Sequence, residues 1–115
     1  VSVHEIVGEV DGRTCLLVDD MIDTGGTIVK AAQALKASGA HRVIVAATHA
    51  IFSDPANERL QDPAIDEVVV TDTIPLTESR RWDGLTILPI APLLARAVRE
   101  VFEDGSVTSM FGGDA

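Results

Sequence analysis

The sequence predicts an α/β fold built around a parallel sheet, and three observations lead to this prediction. The apolar run Cys15 to Val18 has the length and composition of a buried strand. A helical pattern follows from Gly26 to Ser38, and a second apolar strand runs from Arg42 to His49. Because strand–helix–strand connections are right-handed crossovers, the two strands should lie parallel in one sheet. We expect helices on both faces of this sheet.

The first elements are predicted to be two strands joined by a tight turn. Residues Val3–Val10 and Thr14–Val18 have strand patterns, and Asp11-Gly12 between them is a strong turn signal. These two strands should therefore be neighbours. The helix that follows stops at Gly39. Its apolar face is formed by Ile28, Ala31, Ala32 and Leu35.

The middle of the chain predicts a short helix and two further strands. The short helix spans Pro55 to Leu60, with Ser53 or Asp54 as its cap. Glu67–Thr71 is a β-branched strand, and Thr86–Ile90 is predicted to be the last main strand.

The end of the chain predicts one more helix and an irregular tail. Pro92 stands in the first turn of this helix. Its apolar stripe is predicted to pack in the core and comprises Leu93, Leu94, Ala97, Val98, Val101 and Phe102. The tail from Gly105 to Ala115 is rich in glycine, so we expect it to be mobile unless a partner holds it.

Length and composition indicate a single globular domain. The chain has 115 residues, 46% of them hydrophobic, and this is sufficient for a core. No apolar run approaches the roughly 18 residues of a membrane-spanning helix, and no basic region precedes an apolar stretch at the N-terminus. The lone Cys15 is predicted to be a buried thiol. These features favour a cytoplasmic protein. Because the chain opens at Val1 without Met and enters a strand at once, we expect a fragment that is incomplete at its N-terminus.

The net charge of −9 argues against a nucleic-acid partner, because such sites need clustered Lys and Arg. The segment from Thr14 to Val29 contains three Asp and no Lys or Arg. If this segment binds an anion, the compensating positive charge must come from Mg²⁺ or from elsewhere in the protein.

The most specific motif begins where the first apolar strand ends. Asp19 and Asp20 are acceptor-only groups that suit the vicinal hydroxyls of a ribose, or a hydrated Mg²⁺. The run Thr24-Gly25-Gly26-Thr27 offers backbone N–H groups and two hydroxyls to a phosphate at a helix N-terminus. We expect Asp23 to organise this loop by accepting N–H bonds from the following turn. Together these residues predict a sugar-phosphate site.

Two other interpretations of the motif remain open at this point. Asp and Gly after a strand are ordinary turn and N-cap residues. A generic mononucleotide-binding module would explain the glycine loop, but it would not explain the paired carboxylates.

The segment Val18 to Thr27 resembles the phosphoribosyl-diphosphate fingerprint of type I phosphoribosyltransferases and of ribose-phosphate diphosphokinases. Three further segments resemble the C-terminal portion of the diphosphokinases: Ala47–Ser53, Asp66–Leu76 and Gly105–Phe111. The resemblance covers nearly the whole chain. It implies that residues 1–115 form a C-terminal phosphoribosyltransferase-like domain of a longer protein.

This resemblance implies an enzyme that transfers a diphosphoryl group from ATP to the anomeric hydroxyl of ribose 5-phosphate. It assigns ribose 5-phosphate binding to Asp19, Asp20, Asp23, Thr24, Gly25, Gly26 and Thr27. It also implies Mg²⁺, with Asp19 and Asp20 as its candidate ligands, and a homo-oligomer. ATP would be bound mainly by the missing region and a neighbouring subunit, and the catalytic Lys and Arg lie on a loop upstream. This fragment alone should therefore be inactive.

The tail matches a stretch of the resembled diphosphokinases that takes part in a regulatory phosphate or nucleotide site between subunits. The residues concerned are Ser106, Val107, Thr108, Ser109 and Phe111. A phosphoribosyltransferase that uses phosphoribosyl diphosphate, and a non-catalytic associated or regulatory subunit of the same fold, are the alternative functions.

Overall fold

The computed structural model describes Ile6 and residues 8–112 of the chain, and its centre is a four-stranded sheet. All strands are parallel and lie in sequence order. The strands are β1 (Thr14–Ile22), β2 (Arg42–Ala50), β3 (Glu67–Thr71) and β4 (Leu85–Leu88). The α-helices are α1 (Gly26–Ala37), α2 (Ala56–Leu60) and α3 (Ala91–Phe102), and 3₁₀ turns span Glu78–Arg80 and Thr108–Phe111. The predicted α/β fold with a parallel sheet is confirmed.

The core lies between one face of the sheet and the helices α1 and α2. Alternate residues of β2 and β3 point into it, because side chains along a strand alternate between the two faces. The strand residues with at most 1% exposure are Val43, Val45, Ala50, Val68 and Val70. Ala32 of α1 and Leu60 of α2 close the core from the helical side.

The opposite face of β1 is open in the described part of the chain. Leu16 and Val18 are 60% and 71% exposed. The helices α1 and α2 pack on the same face of the sheet, since residues of both belong to one core cluster. The reason is topological, because right-handed crossovers between strands in sequence order place their helices on the same side of a sheet.

The apolar stripe of α3 is exposed, so the prediction that it packs in the core is wrong. Leu94 is 56% exposed, Val98 and Val101 are each 68% exposed, and Phe102 is 88% exposed. Periodicity identifies which face of a helix needs an apolar partner, but it does not show that the partner lies in the same chain. Within the described residues, no helix has the length and apolar character needed to cross a membrane.

Strand β1 continues four residues beyond its predicted end. The reason is that β2 offers backbone partners along its whole length, so that Ile22 pairs with Ala50. Strand β4 is shorter than predicted and starts one residue earlier. Its last residue, Leu88, pairs with Thr71 at the end of the five-residue strand β3. The Ile90 N–H donates instead to Asp72 Oδ1, at 2.9 Å, and this ends the strand pattern.

The structure differs from the sequence prediction at the N-cap of α2 and in the residues before β1. Pro55 is the N-cap of α2 and no side chain caps this helix, so Ser53 and Asp54 do not have the predicted role. The predicted strand Val3–Val10 lies largely outside the described residues, and its described residues form no strand. The turn after it is confirmed, because the Arg13 N–H donates to the Val10 carbonyl at 3.0 Å.

Asp66 joins the starts of β2 and β3. Its Oδ2 accepts the Val43 N–H at 2.7 Å and lies 2.9 Å from Lys36 Nζ, while the Asp66 N–H donates to the Val43 carbonyl at 2.9 Å. The Val43 hydrogen bond, followed by the one from Lys36, lowers the pKa of Asp66 below its ordinary value of 3.8. The ionised carboxylate therefore stabilises the fold.

We expect Asp66→Asn to lower the free energy of unfolding at pH 7 by about 1 kcal/mol, the usual scale of one hydrogen bond. Because the folded pKa is lowered, the contribution of Asp66 is complete above pH 3.8 and is lost as the pH falls through the folded value. Urea unfolding of wild type and variant at pH 7, 5 and 3 measures this difference. A penalty that stays the same at pH 3 would show that the charge of Asp66 is irrelevant.

Candidate functional site

The loop between β1 and α1 forms a shallow concavity of about 190 Å³ at the carboxyl edge of the sheet. Ligands of open α/β sheets bind at this edge. The lining consists of Asp19 and the run Met21–Ile28. The structure therefore brings together Asp19, Asp23 and the predicted phosphate loop Thr24–Thr27. Asp20 is not part of this lining.

Asp19 and Asp20 lie inside β1 rather than after it, which corrects the prediction that the carboxylates follow the strand. Consecutive strand residues point to opposite faces, so the two carboxylates are directed to opposite sides of the sheet. Asp19 Oδ1 accepts the Asp20 N–H at 2.8 Å, which fixes the rotation of the Asp19 side chain. Both side chains are exposed.

The N-terminus of α1 is open to an anion. Its N-cap, Gly25, has φ +79°, a left-handed conformation that glycine adopts without steric cost. Within the described part of the chain, no side chain caps this helix and its first turn has no acidic residue. The first N–H groups of a helix have no intrahelical acceptor, so they are free to bind a phosphate here.

The expected role of Asp23 is not seen. Its side chain lines the concavity. Among the hydrogen bonds of the described residues, however, none joins the Asp23 carboxylate to the N–H groups of the following turn. The loop geometry is set instead by Gly25, whose carbonyl accepts the Val29 N–H at 3.0 Å.

Arg59 is a residue of this region that sequence reasoning missed. It belongs to α2, and its Nη1 donates to the Thr24 carbonyl at 3.2 Å. A positive charge therefore lies beside the phosphate loop, although the segment from Thr14 to Val29 itself contains no Lys or Arg. No local pattern could reveal it, because Arg59 is 35 residues from Thr24 in sequence.

The carboxylates at this site are compatible with a Mg²⁺ ion that is coordinated by both the protein and the substrate. No group of three or more His, Cys, Asp or Glu side chains converges in residues 8–112. Mg²⁺ commonly binds to one or two carboxylates, with phosphate oxygens and water completing the octahedron. Asp19 supplies a carboxylate of this kind at the edge of the concavity. Mg²⁺ itself, and Asp19 and Asp20 as its ligands, stay predictions.

Hydrogen bonds between neighbouring loops hold the same edge of the sheet. His49 Nδ1 lies 2.7 Å from Thr73 Oγ1, which connects the end of β2 to the residues after β3. Arg80 Nη1 donates to the Phe52 carbonyl and lies 3.2 Å from Asp54 Oδ1. These contacts fix the loops beside the concavity.

The predicted regulatory residues form a compact turn after α3. The Ser109 hydroxyl donates to the Ser106 carbonyl at 2.7 Å, and residues Thr108–Phe111 make the 3₁₀ turn. Phe111 is 69% exposed. The tail therefore has local structure that the sequence pattern did not predict, and its regulatory role stays a prediction.

Comparison with known proteins connects this chain to one family. Residues 3–112 match the family model described as phosphoribosyl synthetase-associated domain. The chain is 55% identical over 115 residues to a ribose-phosphate pyrophosphokinase of Corynebacterium efficiens, covering 100% of this chain and 35% of that protein. It is 60% identical over 111 residues to the protein of the same name from Streptomyces coelicolor, covering 96% and 34%.

A solved structure shows the same architecture. The crystal structure of phosphoribosylpyrophosphate synthetase from Mycobacterium smegmatis superposes with a TM-score of 0.80 at 56% sequence identity. The match covers 86% of this chain and 33% of that one. The chain thus spans about a third of the length of the relatives that it matches.

Proposed function

Because this chain belongs to the phosphoribosyl synthetase-associated domain family, we propose that it forms the ribose 5-phosphate-binding part of a ribose-phosphate diphosphokinase. The observation that carries this proposal is the concavity that is lined both by Asp19 and by an uncapped helix N-terminus. This arrangement has a carboxylate for sugar hydroxyls and N–H donors for a phosphate. The names of the similar proteins, ribose-phosphate pyrophosphokinase, support the same activity.

In this proposal the phosphate loop binds the 5-phosphate. The N–H groups of Gly25, Gly26 and Thr27 donate to the phosphate oxygens, and the hydroxyls of Thr24 and Thr27 add two donors. Asp19 accepts a ribose hydroxyl in the same concavity. Asp20, which lies outside the lining of the concavity, would act on the site through its charge. The sugar is therefore held at both ends, which leaves its anomeric hydroxyl to be oriented toward ATP.

The reaction forms a bond between the anomeric oxygen of ribose 5-phosphate and the β-phosphorus of ATP. The bond between this phosphorus and the α,β-bridging oxygen breaks, and AMP leaves with that oxygen. The proton of the anomeric hydroxyl passes to water or to a base outside this chain. When bound, Mg²⁺ would neutralise the diphosphate charge, and Asp19, whose carboxylate lies at the concavity, would hold it.

The other components of the reaction lie outside these 115 residues in our proposal. ATP would be bound by other parts of the longer protein and by a neighbouring subunit of a homo-oligomer. The Lys and Arg that stabilise the transferred group would come from an upstream loop. This division of labour accounts for the net charge of −9 on a chain that binds an anionic substrate.

Incubation of the intact protein with ribose 5-phosphate, ATP and Mg²⁺, without a nucleobase, tests this function. We expect AMP and phosphoribosyl diphosphate to form in equal amounts. A protein that makes no AMP, but releases diphosphate from phosphoribosyl diphosphate when a nucleobase is added, would be a phosphoribosyltransferase. A folded protein that binds ribose 5-phosphate and catalyses neither reaction would be the non-catalytic subunit.

A further inference from the structure

We propose that Arg59 is a positioning residue that orients the peptide between Thr24 and Gly25 for phosphate binding. This inference rests on the proposed function and deepens it, because it concerns the loop that would hold the 5-phosphate. The hydrogen bond from Arg59 Nη1 to the Thr24 carbonyl, 3.2 Å long, is the contact that carries it.

The orientation follows from the planarity of the peptide bond. In a trans peptide, the carbonyl of one residue and the N–H of the next point in opposite directions. Arg59 binds the Thr24 carbonyl, so the Gly25 N–H is directed away from Arg59. This N–H is a donor of the open helix start described above.

Two cavities at the loop, only one of which includes Arg59 in its lining, agree with this orientation. The phosphate concavity of about 190 Å³ has Asp19 in its lining and does not include Arg59. A second cavity of about 420 Å³ lies between α1 and α2 and is lined by Arg59, Lys30 and Gln33 together with loop residues. The two cavities share Thr24, Gly26 and Thr27 in their linings. Arg59 therefore acts on a bound phosphate through the Thr24–Gly25 peptide and through its charge, without lining the phosphate concavity.

Gly25 makes such a constraint necessary. Glycine populates positive and negative φ almost equally, so the peptide preceding it can rotate. A rotated peptide would present the Thr24 carbonyl oxygen to the phosphate, where two negative groups would repel each other. A guanidinium on the carbonyl favours the binding orientation, and it acts while the site is still empty.

Two neighbouring residues place the guanidinium. Leu60 is 1% exposed and anchors α2 in the core directly after Arg59. A Cβ atom on Gly26 would lie 3.1 Å from Arg59 Nη1, so a side chain at position 26 would crowd the guanidinium. Glycine inside the first turn of a helix is unfavourable by itself, and the space it leaves for Arg59 gives it a role here.

Arg59→Met in the intact protein tests the proposal, because it removes the charge and the donors and keeps an unbranched apolar chain. We expect the Kd and KM for ribose 5-phosphate to rise at least about tenfold, the usual effect of losing one charge-assisted hydrogen bond. The KM for ATP should stay within about twofold of wild type. Arg59→Lys should restore part of the loss. Lys30→Met is the matched control, since it removes one positive charge from the same cavity and should change both constants by less than about twofold.

The proposal would be overturned if Arg59→Met left the Kd for ribose 5-phosphate unchanged, or if Lys30→Met raised this Kd as much as Arg59→Met does. A parallel rise in both KM values would also overturn it, because it would indicate general damage to the fold. If Arg59→Met does not fold, Arg59→Lys is compared with wild type instead. An unchanged Kd for ribose 5-phosphate in Arg59→Lys would then contradict the proposal.

Inorganic phosphate separates this proposal from the proposed function. Its affinity for wild type, Arg59→Met and Lys30→Met can be measured by ³¹P NMR without any turnover. Weaker phosphate binding in Arg59→Met alone supports the role of Arg59 even if the protein forms no AMP from ATP. Normal AMP formation together with unchanged phosphate binding in Arg59→Met retains the function and refutes the role of Arg59.

Discussion

Asp19→Asn in the intact protein is expected to lower kcat/KM for ribose 5-phosphate by about 10- to 100-fold, the range of one charge-assisted hydrogen bond. Asp19 lines the concavity together with the phosphate loop. The amide keeps the shape of the side chain and loses the charge that strengthens its bond to a ribose hydroxyl. The KM for ATP should change by less than about twofold, because in our proposal ATP is bound elsewhere. Steady-state kinetics with each substrate varied in turn measures both effects.

Two further variants make this experiment specific. Asp20→Asn should act in the same direction with a smaller loss, because its carboxylate does not line the concavity. Asp83→Asn is the matched control, since it removes the same charge from an exposed residue just before β4, at the opposite edge of the sheet. Equal rises in KM for both substrates in Asp19→Asn would refute the assignment of this chain to the sugar phosphate alone.

Phe52→Ala is expected to lower the free energy of unfolding by about 3–5 kcal/mol, as for other fully buried aromatic residues. Phe52 is 1% exposed and contacts Trp82 with a ring-centroid distance of 6.0 Å. Its φ is +52°, in the left-handed region that is unfavourable for every residue with a Cβ atom. Phe52→Gly should therefore be about 1 kcal/mol more stable than Phe52→Ala, because glycine relieves this strain.

At position 52 we expect glycine to be more stable than alanine, which is the reverse of the usual order. Ala50→Gly provides the control. Ala50 is fully buried at the end of β2, in ordinary strand geometry. There glycine should cost about 1 kcal/mol relative to alanine. Urea unfolding of the four proteins measures all the differences. If glycine is the less stable residue at both positions, Phe52 is not strained in the folded protein.

The elements that the sequence predicts best are those whose pattern is local. The helix from Gly26 ends within one residue of its predicted end, and Glu67–Thr71 has its predicted bounds, because periodicity and stop signals lie in the segments themselves. The end of β1 was not predictable from β1. It depends on the length of β2, whose Ala50 pairs with Ile22.

The same distinction explains the site. The phosphate loop is contiguous in sequence, and its glycines and threonines come together as predicted. The Arg59 contact depends on how α2 docks against the loop, and docking is a property of the packed core. The stripe of α3 shows the converse case, since Val98 and Phe102 form an amphipathic pattern without a partner among the described residues.

The order of the strands has a consequence for how this region folds. In the described part of the chain, β2, β3 and β4 each pair with the strand that precedes them in sequence, so none of these three pairings requires a segment that is synthesised later. Pairing between consecutive strands requires shorter loop closures than pairing between distant strands would, and short closures favour fast folding. The described strands can therefore pair one after another as the chain leaves the ribosome.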